Sequence, residues 1–186
     1  SRGVDGFELS IGGGFGIKYV EEDRPVPLGQ MCASLVRYAE EALEKSDVTI
    51  SKLITEPGRA VVGEAGYTLY TIGDMKKSGD KNYIFVDGGM SDKIRPALYS
   101  AEYTCALAEK LTEKPAASYC IAGKNCESGD VLIADAKLPE AKTGDLLVVY
   151  STGAYGYSMA SNYNRLGRPA VVFVRDGKAR LVIRRE

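Results

Sequence analysis

The first third of the sequence contains a strand, a helix and a second strand, and a glycine turn follows each strand. Residues 7–11 alternate apolar and polar side chains and run into three successive glycines. The run at residues 52–55 ends at Glu56-Pro57-Gly58-Arg59, and residues 30–45 carry apolar side chains at helical spacing. This order predicts two parallel strands joined by a helical crossover.

The two glycine turns predict an anion site. In a (β/α) barrel, the turns after successive strands lie on one face, where such barrels commonly bind phosphate. Backbone N–H groups freed at a strand end, beside the guanidinium of Arg59, suit an anion. We therefore expect residues 1–62 to form the end of a barrel of the TIM type. Two strands and a helix leave sheet edges unpaired, so we expect the chain to be an internal fragment of a longer protein.

After residue 62 the pattern changes to short strands, which predicts a second domain over residues 63–186 with an antiparallel β-fold, a Greek-key barrel or sandwich. The fold class is therefore α/β followed by all-β. Asp176-Gly177 is typical of a two-residue hairpin turn. Short helical pieces are predicted at residues 96–100 and 157–164. Strands are predicted at residues 67–72, 83–86, 117–121, 131–137, 145–150, 170–174 and 180–183.

The composition limits the classes of function. The 24 basic and 25 acidic residues give no electrostatic reason to expect nucleic acid or an anionic membrane as a partner. The sequence has no apolar run of membrane-spanning length and no apolar signal-peptide core at its start, so we expect a cytoplasmic protein.

Histidine is absent, which removes the commonest general base and the commonest metal ligand. The four cysteines have the spacing of neither a disulfide framework nor a zinc site, so we expect free thiols and no metal. The chemistry must therefore use carboxylates, thiols, tyrosines, arginines or a cofactor.

Six segments in order along the chain resemble the pyridoxal-phosphate-dependent decarboxylases with an alanine-racemase-like fold, and among them those that act on diaminopimelate. The matching segments are residues 11–17, 56–59, 86–92, 95–99, 123–130 and 153–155. The resemblance implies a homodimeric lyase of lysine biosynthesis, with its active sites at the subunit interface, that converts meso-2,6-diaminopimelate to L-lysine and CO2. Its cofactor would be pyridoxal 5'-phosphate.

The resemblance also implies the cofactor contacts. Glu56 would bind the pyridine nitrogen and keep it protonated, which makes the ring a better electron sink. Gly14, and the backbone of Gly58 and Arg59, would bind the phosphate. Taken alone, the glycine run is more typical of a structural turn, and Ile17 stands where a dinucleotide-binding fingerprint needs its last glycine. The full implied cofactor set is Gly13, Gly14, Glu56, Pro57, Gly58, Arg59 and Tyr155.

For the substrate, the resemblance implies that Arg95 and Tyr99 bind the distal carboxylate, and their spacing of four predicts one face of a helical turn. Cys126 would be the proton donor and Glu127 would bind the distal ammonium, both at the active site of the partner subunit. Arg59 and Tyr155 would also contact substrate. Without the resemblance, Arg95 would be a surface arginine and the cysteines small buried side chains.

The sequence also departs from the family pattern. The lysine that holds the cofactor as a Schiff base is missing, as is a histidine that stacks on the cofactor ring, and Tyr103 stands where a histidine is expected. We therefore expect the isolated chain to be inactive. Two alternatives remain: a decarboxylase of ornithine, arginine or carboxynorspermidine, of which Arg95, Tyr99 and Glu127 argue against the first two, or a non-catalytic dimerisation or regulatory β-domain.

Overall fold

The computed structural model describes residues 5–46 and 48–186, so residues 1–4 and 47 of the predicted first domain lie outside the described residues. Strand β1 (Asp5–Ser10) pairs in parallel with β2 (Thr49–Ile54), and helix α1 (Leu28–Glu44) connects them. The predicted parallel crossover is therefore confirmed. Because α1 buries none of its residues fully, its apolar stripe is only partly covered within the described part of the chain.

A short helix α2 (Gly58–Val62) follows Glu56 and Pro57 directly. The chain then enters a six-stranded sheet. Its strands are β3 (Thr68–Ser78), β4 (Lys81–Val86), β5 (Cys105–Leu107), β6 (Ala117–Ala122), β7 (Val131–Leu138) and β8 (Leu146–Val149). Their order across the sheet is β5-β8-β3-β4-β6-β7. A one-turn helix, α3 (Arg95–Tyr99), lies between β4 and β5 in sequence.

The prediction of an antiparallel domain is wrong at one pair of strands. Strands β4 and β6 run parallel, with Ile84 opposite Ile121. The intervening segment forms α3 and β5 and returns the chain to the end of the sheet at which β4 begins. Strand β5 pairs with β8 at the far edge, and Cα atoms of β5 and β7, the two edge strands, come within 8 Å of each other. The sheet is therefore mixed and nearly closed.

Each of the six strands contributes one large, fully buried side chain to the core. In β3, β4 and β6 they occupy inward positions of an alternating pattern, as a sheet with one buried face requires, whereas β8 buries three residues in succession. Truncating such a side chain to alanine typically costs about 2–5 kcal/mol. They are Ile72, Ile84, Leu107, Ile121, Leu138 and Leu147.

The chain ends in a separate antiparallel hairpin of β9 (Val171–Arg175) and β10 (Lys178–Ile183). Asp176 and Gly177 both have positive φ, 51° and 71°, as a two-residue turn of type I′ needs, so this predicted hairpin is confirmed. Two short 3₁₀ turns precede it, Tyr157–Met159 and Tyr163–Arg165. None of the helices in the described ranges has the length and apolar character to cross a lipid bilayer.

Candidate active site

The glycine turns after β1 and β2 lie against each other, because the two strands are parallel neighbours. The Glu56 N–H donates to the Gly12 carbonyl at 2.8 Å, and the Ser10 hydroxyl donates to Oε1 of Glu56 at 2.6 Å. A Cβ on Gly13 would overlap the Glu56 carbonyl oxygen, so glycine is required there for the backbones to approach. This contact positions the carboxylate of Glu56 at the ends of both strands.

Space beside these turns is open. A Cβ on Gly14 or on Gly58 would meet no atom within 4 Å, and Gly14 has a φ of +84° that favours glycine. The Glu56 carboxylate is exposed, and Ser10 bonds to one of its two oxygens. A cradle of backbone with a free carboxylate oxygen on its wall fits a group that carries a phosphate and a protonated ring nitrogen.

Arg59 and Tyr155 meet beside this cradle. The Arg59 guanidinium carbon lies 5.7 Å from the centroid of the Tyr155 ring, and its Nε is buried without a hydrogen-bond partner among the described residues. Tyr155 has a φ of +56°, in a loop after β8 that packs on the end of α2. The Gly153 N–H donates to Gly63 at 3.0 Å, and a Cβ on Gly153 would overlap the Val62 carbonyl oxygen.

Arg95 begins α3 and is buried. Its Nη1 donates to the hydroxyls of Tyr19, at 3.1 Å, and Tyr103, at 2.7 Å, and its guanidinium carbon lies 5.4 Å from the Tyr155 ring. Burial raises the pKa of Tyr103, which keeps this phenol neutral. Tyr99, predicted on the same face, is 61% exposed and has no hydrogen bond to Arg95 within the described ranges. The structure therefore joins Arg95 to Arg59 and Tyr155, but not to Tyr99.

A third cation lies next to Arg95. The Lys93 ammonium is buried, without a hydrogen-bond partner in the described part of the chain, 3.9 Å from the Tyr103 ring centroid. Burial and the nearby Arg95 charge lower the pKa of Lys93 to about 7. Across residues 5–46 and 48–186, no carboxylate forms an ion pair with Arg59, Lys93 or Arg95. This excess of positive charge favours an anionic ligand.

Cys126 and Glu127 lie in a second cluster, on the loop between β6 and β7. Cys126 is exposed, and its N–H donates to Oδ1 of Asn164 at 2.6 Å. The Glu127 carboxylate accepts hydrogen bonds from the Gly129 N–H and the Tyr163 hydroxyl, each at 3.3 Å. These bonds, with the Gly129 contribution the largest, lower the pKa of Glu127 and keep it ionised.

The loop of Cys126 is fixed to the rest of the domain by Asp130. The Asp130 carboxylate accepts hydrogen bonds from the N–H groups of Asn125, at 2.7 Å, and Met90, at 2.6 Å. Within the described ranges, no hydrogen bond or ion pair joins Cys126 or Glu127 to the cluster around Glu56 and Arg95. The chain therefore carries its predicted site residues in two separate groups.

Sequence patterns missed several residues of both groups. Tyr19 and Lys93 belong to no recognised motif. Tyr103 is marked in the sequence only as the position at which the family pattern has a histidine. Tyr163 and Asn164, which contact the Cys126 loop, were assigned only to a helical piece. Their roles come from contacts between segments far apart in sequence, and a local pattern carries no signal of such contacts.

The comparison that decides the family covers most of the chain. Residues 19–153 match the family described as pyridoxal-dependent decarboxylase, C-terminal sheet domain. The chain belongs to this family. The pyridoxal dependence in the family description agrees with the open backbone of the two glycine turns.

Similar proteins within the family are diaminopimelate decarboxylases. Those of Halalkalibacterium halodurans and Bacillus subtilis are 53% and 52% identical, over 97% and 96% of this chain but only 42% and 41% of their own lengths. The crystal structure of the M. jannaschii enzyme superposes with a TM-score of 0.90 at 33% identity, covering 98% of this chain and 41% of that one. The same enzyme in complex with L-lysine gives 0.87, at 33% identity, over 97% and 41%.

The chain spans about two fifths of the length of the curated relatives it matches.

Proposed function

We propose that this chain is the C-terminal portion of a decarboxylase that removes CO2 from meso-2,6-diaminopimelate and releases L-lysine. The observation that carries the proposal is the cluster of Arg59, Lys93 and Arg95, which form no ion pair with a carboxylate within the described ranges and lie beside the glycine cradle. A substrate with a second carboxylate supplies such a partner. The identity to diaminopimelate decarboxylases supports the same substrate.

We assign residues 1–62 to the end of a (β/α) barrel and residues 63–186 to the C-terminal β-domain. The parallel pair β1 and β2 supports this division, because two parallel strands with a partly covered crossover helix need further strands to complete a sheet. The change from the two-stranded sheet to the mixed six-stranded sheet falls at α2.

Pyridoxal phosphate fits the cradle of the two glycine turns. Gly14, Gly58 and the Arg59 backbone would hold the phosphate, with Gly13 and Pro57 shaping the turns. The second oxygen of Glu56 would accept a hydrogen bond from the ring N–H, since Ser10 already bonds to the first. When bound, the cofactor supplies an electron sink for the electron pair that remains when the carbon–carbon bond to CO2 breaks.

Arg95 is the residue we assign to the distal carboxylate, and Tyr99 would need to turn inward from its exposed position to join it. Two tyrosine hydroxyls fix one end of its guanidinium, which leaves other N–H donors free for a carboxylate. Arg59 and Tyr155 contribute the adjacent wall of the substrate site, where the Arg59 Nε also lacks a partner among the described residues.

We further propose that Cys126 and Glu127 act on the active site of a partner subunit in a homodimer. The thiol of Cys126 would give its proton to the carbon from which CO2 has left, and the ionised Glu127 would bind the distal ammonium. Their exposure, and their separation from the Glu56 group in the hydrogen-bond network, support a role across a subunit interface.

Substitution of Arg95 in the full-length enzyme tests the substrate assignment. We expect Arg95→Ala to raise KM for meso-diaminopimelate by about tenfold to a hundredfold, since a hydrogen bond to a charged group contributes roughly 1.5–3 kcal/mol. The matched control is Arg175→Ala, which removes a fully solvated arginine from the exposed hairpin and should leave KM unchanged. Steady-state kinetics with an unchanged KM for Arg95→Ala would exclude the carboxylate contact.

A further inference from the structure

Lys93 is buried, which is rare for a charged lysine. Its side chain is 4% exposed, and its ammonium has no hydrogen-bond partner among the described residues. The ammonium lies 3.9 Å from the centroid of the Tyr103 ring, whose face attracts a cation. A buried ammonium without a hydrogen bond is costly, so this arrangement needs a compensating role.

The charged groups that face Lys93 do not neutralise it. Arg95, on α3, adds a second positive charge, and Asp92, on the same loop, is the one acidic group that favours the ammonium. The Asp92 carboxylate is already bound by the Tyr70 hydroxyl, at 2.5 Å, and by the Gly89 N–H, at 2.9 Å. The Tyr103 hydroxyl accepts its hydrogen bond from Arg95.

Lys93 and Arg95 therefore both contact the side chain of Tyr103. Lys93 lies over the ring of Tyr103, and Arg95 binds the hydroxyl of the same side chain and that of Tyr19. A change in the charge of Lys93 acts on Arg95 directly, through repulsion, and indirectly, through the orientation of Tyr103. The Lys93 ammonium is itself buried, with no hydrogen-bond partner among the described residues.

We propose that Lys93 is a positioning residue that couples binding of the substrate's distal carboxylate at Arg95 to the uptake of one proton by the Lys93 amine. The proposal rests on the proposed function, in which Arg95 binds that carboxylate. A carboxylate beside Arg95 offsets the guanidinium charge, which reduces its repulsion of the Lys93 ammonium. The amine therefore takes a proton from solvent when the carboxylate binds.

The sign of the pH dependence follows from linkage. The free protein has a lowered Lys93 pKa, about 7, and the anion raises it. By reciprocity, the carboxylate binds more tightly when Lys93 is already protonated. Affinity for the carboxylate should fall as pH rises above the Lys93 pKa of the free protein, by at most about tenfold per pH unit for one proton.

Two ligands isolate this effect in the full-length enzyme loaded with cofactor. L-lysine retains the distal carboxylate, and cadaverine is the same diamine without it. We expect the ratio of the cadaverine Kd to the L-lysine Kd to fall between about pH 6.5 and about pH 8.5. Titration calorimetry in two buffers that differ in ionisation enthalpy should show greater proton uptake for L-lysine than for cadaverine.

Two variants test whether Lys93 is the group that takes up the proton. Lys93→Met should abolish both the fall in the Kd ratio and the extra proton uptake. Lys77→Met makes the same chemical change at an exposed position on β3 and should leave both unchanged. If Lys93→Met does not fold, calorimetry on the wild-type enzyme still tests the proposal. Equal proton uptake on binding L-lysine and cadaverine would overturn the coupling.

The outcomes distinguish this inference from the proposed function. In one outcome, Arg95→Ala lowers the Kd ratio, but the ratio of the wild-type enzyme does not change with pH. This result overturns the role of Lys93 and supports the carboxylate contact. In the other outcome, Arg95→Ala leaves the Kd ratio unchanged at every pH. This result overturns the carboxylate contact itself, and with it the coupling.

Discussion

At the scale of single residues, Glu56 shows how the local geometry prepares a chemical group. The close approach of Gly13 and the hydrogen bond from the Glu56 N–H to the Gly12 carbonyl fix its backbone, and the Ser10 hydroxyl fixes one carboxylate oxygen. The other oxygen remains for a ligand. A carboxylate there can stabilise a positive ring nitrogen, whereas an uncharged amide of the same shape cannot.

Glu56→Gln in the full-length enzyme should therefore lower kcat while leaving the fold intact, because the amide oxygen can still accept the bond from Ser10. We expect a loss of about a hundredfold or more, the size typical of removing one preorganised electrostatic contact. Steady-state kinetics gives the measurement, and Glu44→Gln at the exposed end of α1 is the matched control. A kcat within about twofold of wild type would refute the ring-nitrogen contact.

The positions of the site residues were predictable only where a continuous motif contains them. Glu56, Gly58 and Arg59 form one continuous motif, so a sequence pattern can place them at a turn. The setting of Arg95 depends on Tyr19, 76 residues earlier, and on Tyr103. No local spacing predicts that three such segments meet, and the burial of Lys93 follows from the same contact.

At the scale of elements, the loop after β8 and the end of α2 form one packed unit. Thr152 donates to the Gly66 carbonyl at 2.9 Å and Gly153 donates to the Gly63 carbonyl at 3.0 Å, and this pairing brings Tyr155 beside Arg59. The packing depends on the absence of a side chain at residue 153. The position of Tyr155 therefore depends on backbone contacts of this loop with residues 62–66, at the boundary of the two predicted domains.

Gly153→Ala should destabilise the chain by about 1–3 kcal/mol, because the added methyl group overlaps backbone that cannot move without shifting α2. Gly29→Ala is the control: the same methyl group in α1 meets no atom within 4 Å and should be neutral or stabilising. Urea denaturation of the two variants measures the difference. Equal midpoints would show that the loop and α2 do not pack in this way.

Most elements could be predicted because their patterns are long and regular. The exceptions have physical causes. Strand β5 has three residues, too few for an alternating pattern to be recognised, and it is defined by its pairing with β8. The parallel pair of β4 and β6 depends on the path of the chain through α3, which strand periodicity does not encode.

At the scale of the whole molecule, we propose that the two groups of site residues form one active site across a subunit interface. One group, around Glu56, Arg59 and Arg95, would hold cofactor and substrate, and the other, Cys126 and Glu127, would complete the site of a partner. A C2 dimer satisfies both requirements, since each subunit gives its loop and receives the other's.

The most direct test is CO2 release from meso-diaminopimelate by a mixture of two full-length variants, Glu56→Gln and Cys126→Ala, dissociated and reassociated together. Each variant alone should be nearly inactive. In the mixture about half of the dimers are hybrids with one complete site of two, so we predict recovery of about a quarter of wild-type activity. No recovery from variants that do form hybrid dimers, or a wild-type enzyme that releases no CO2 from meso-diaminopimelate, would contradict the account.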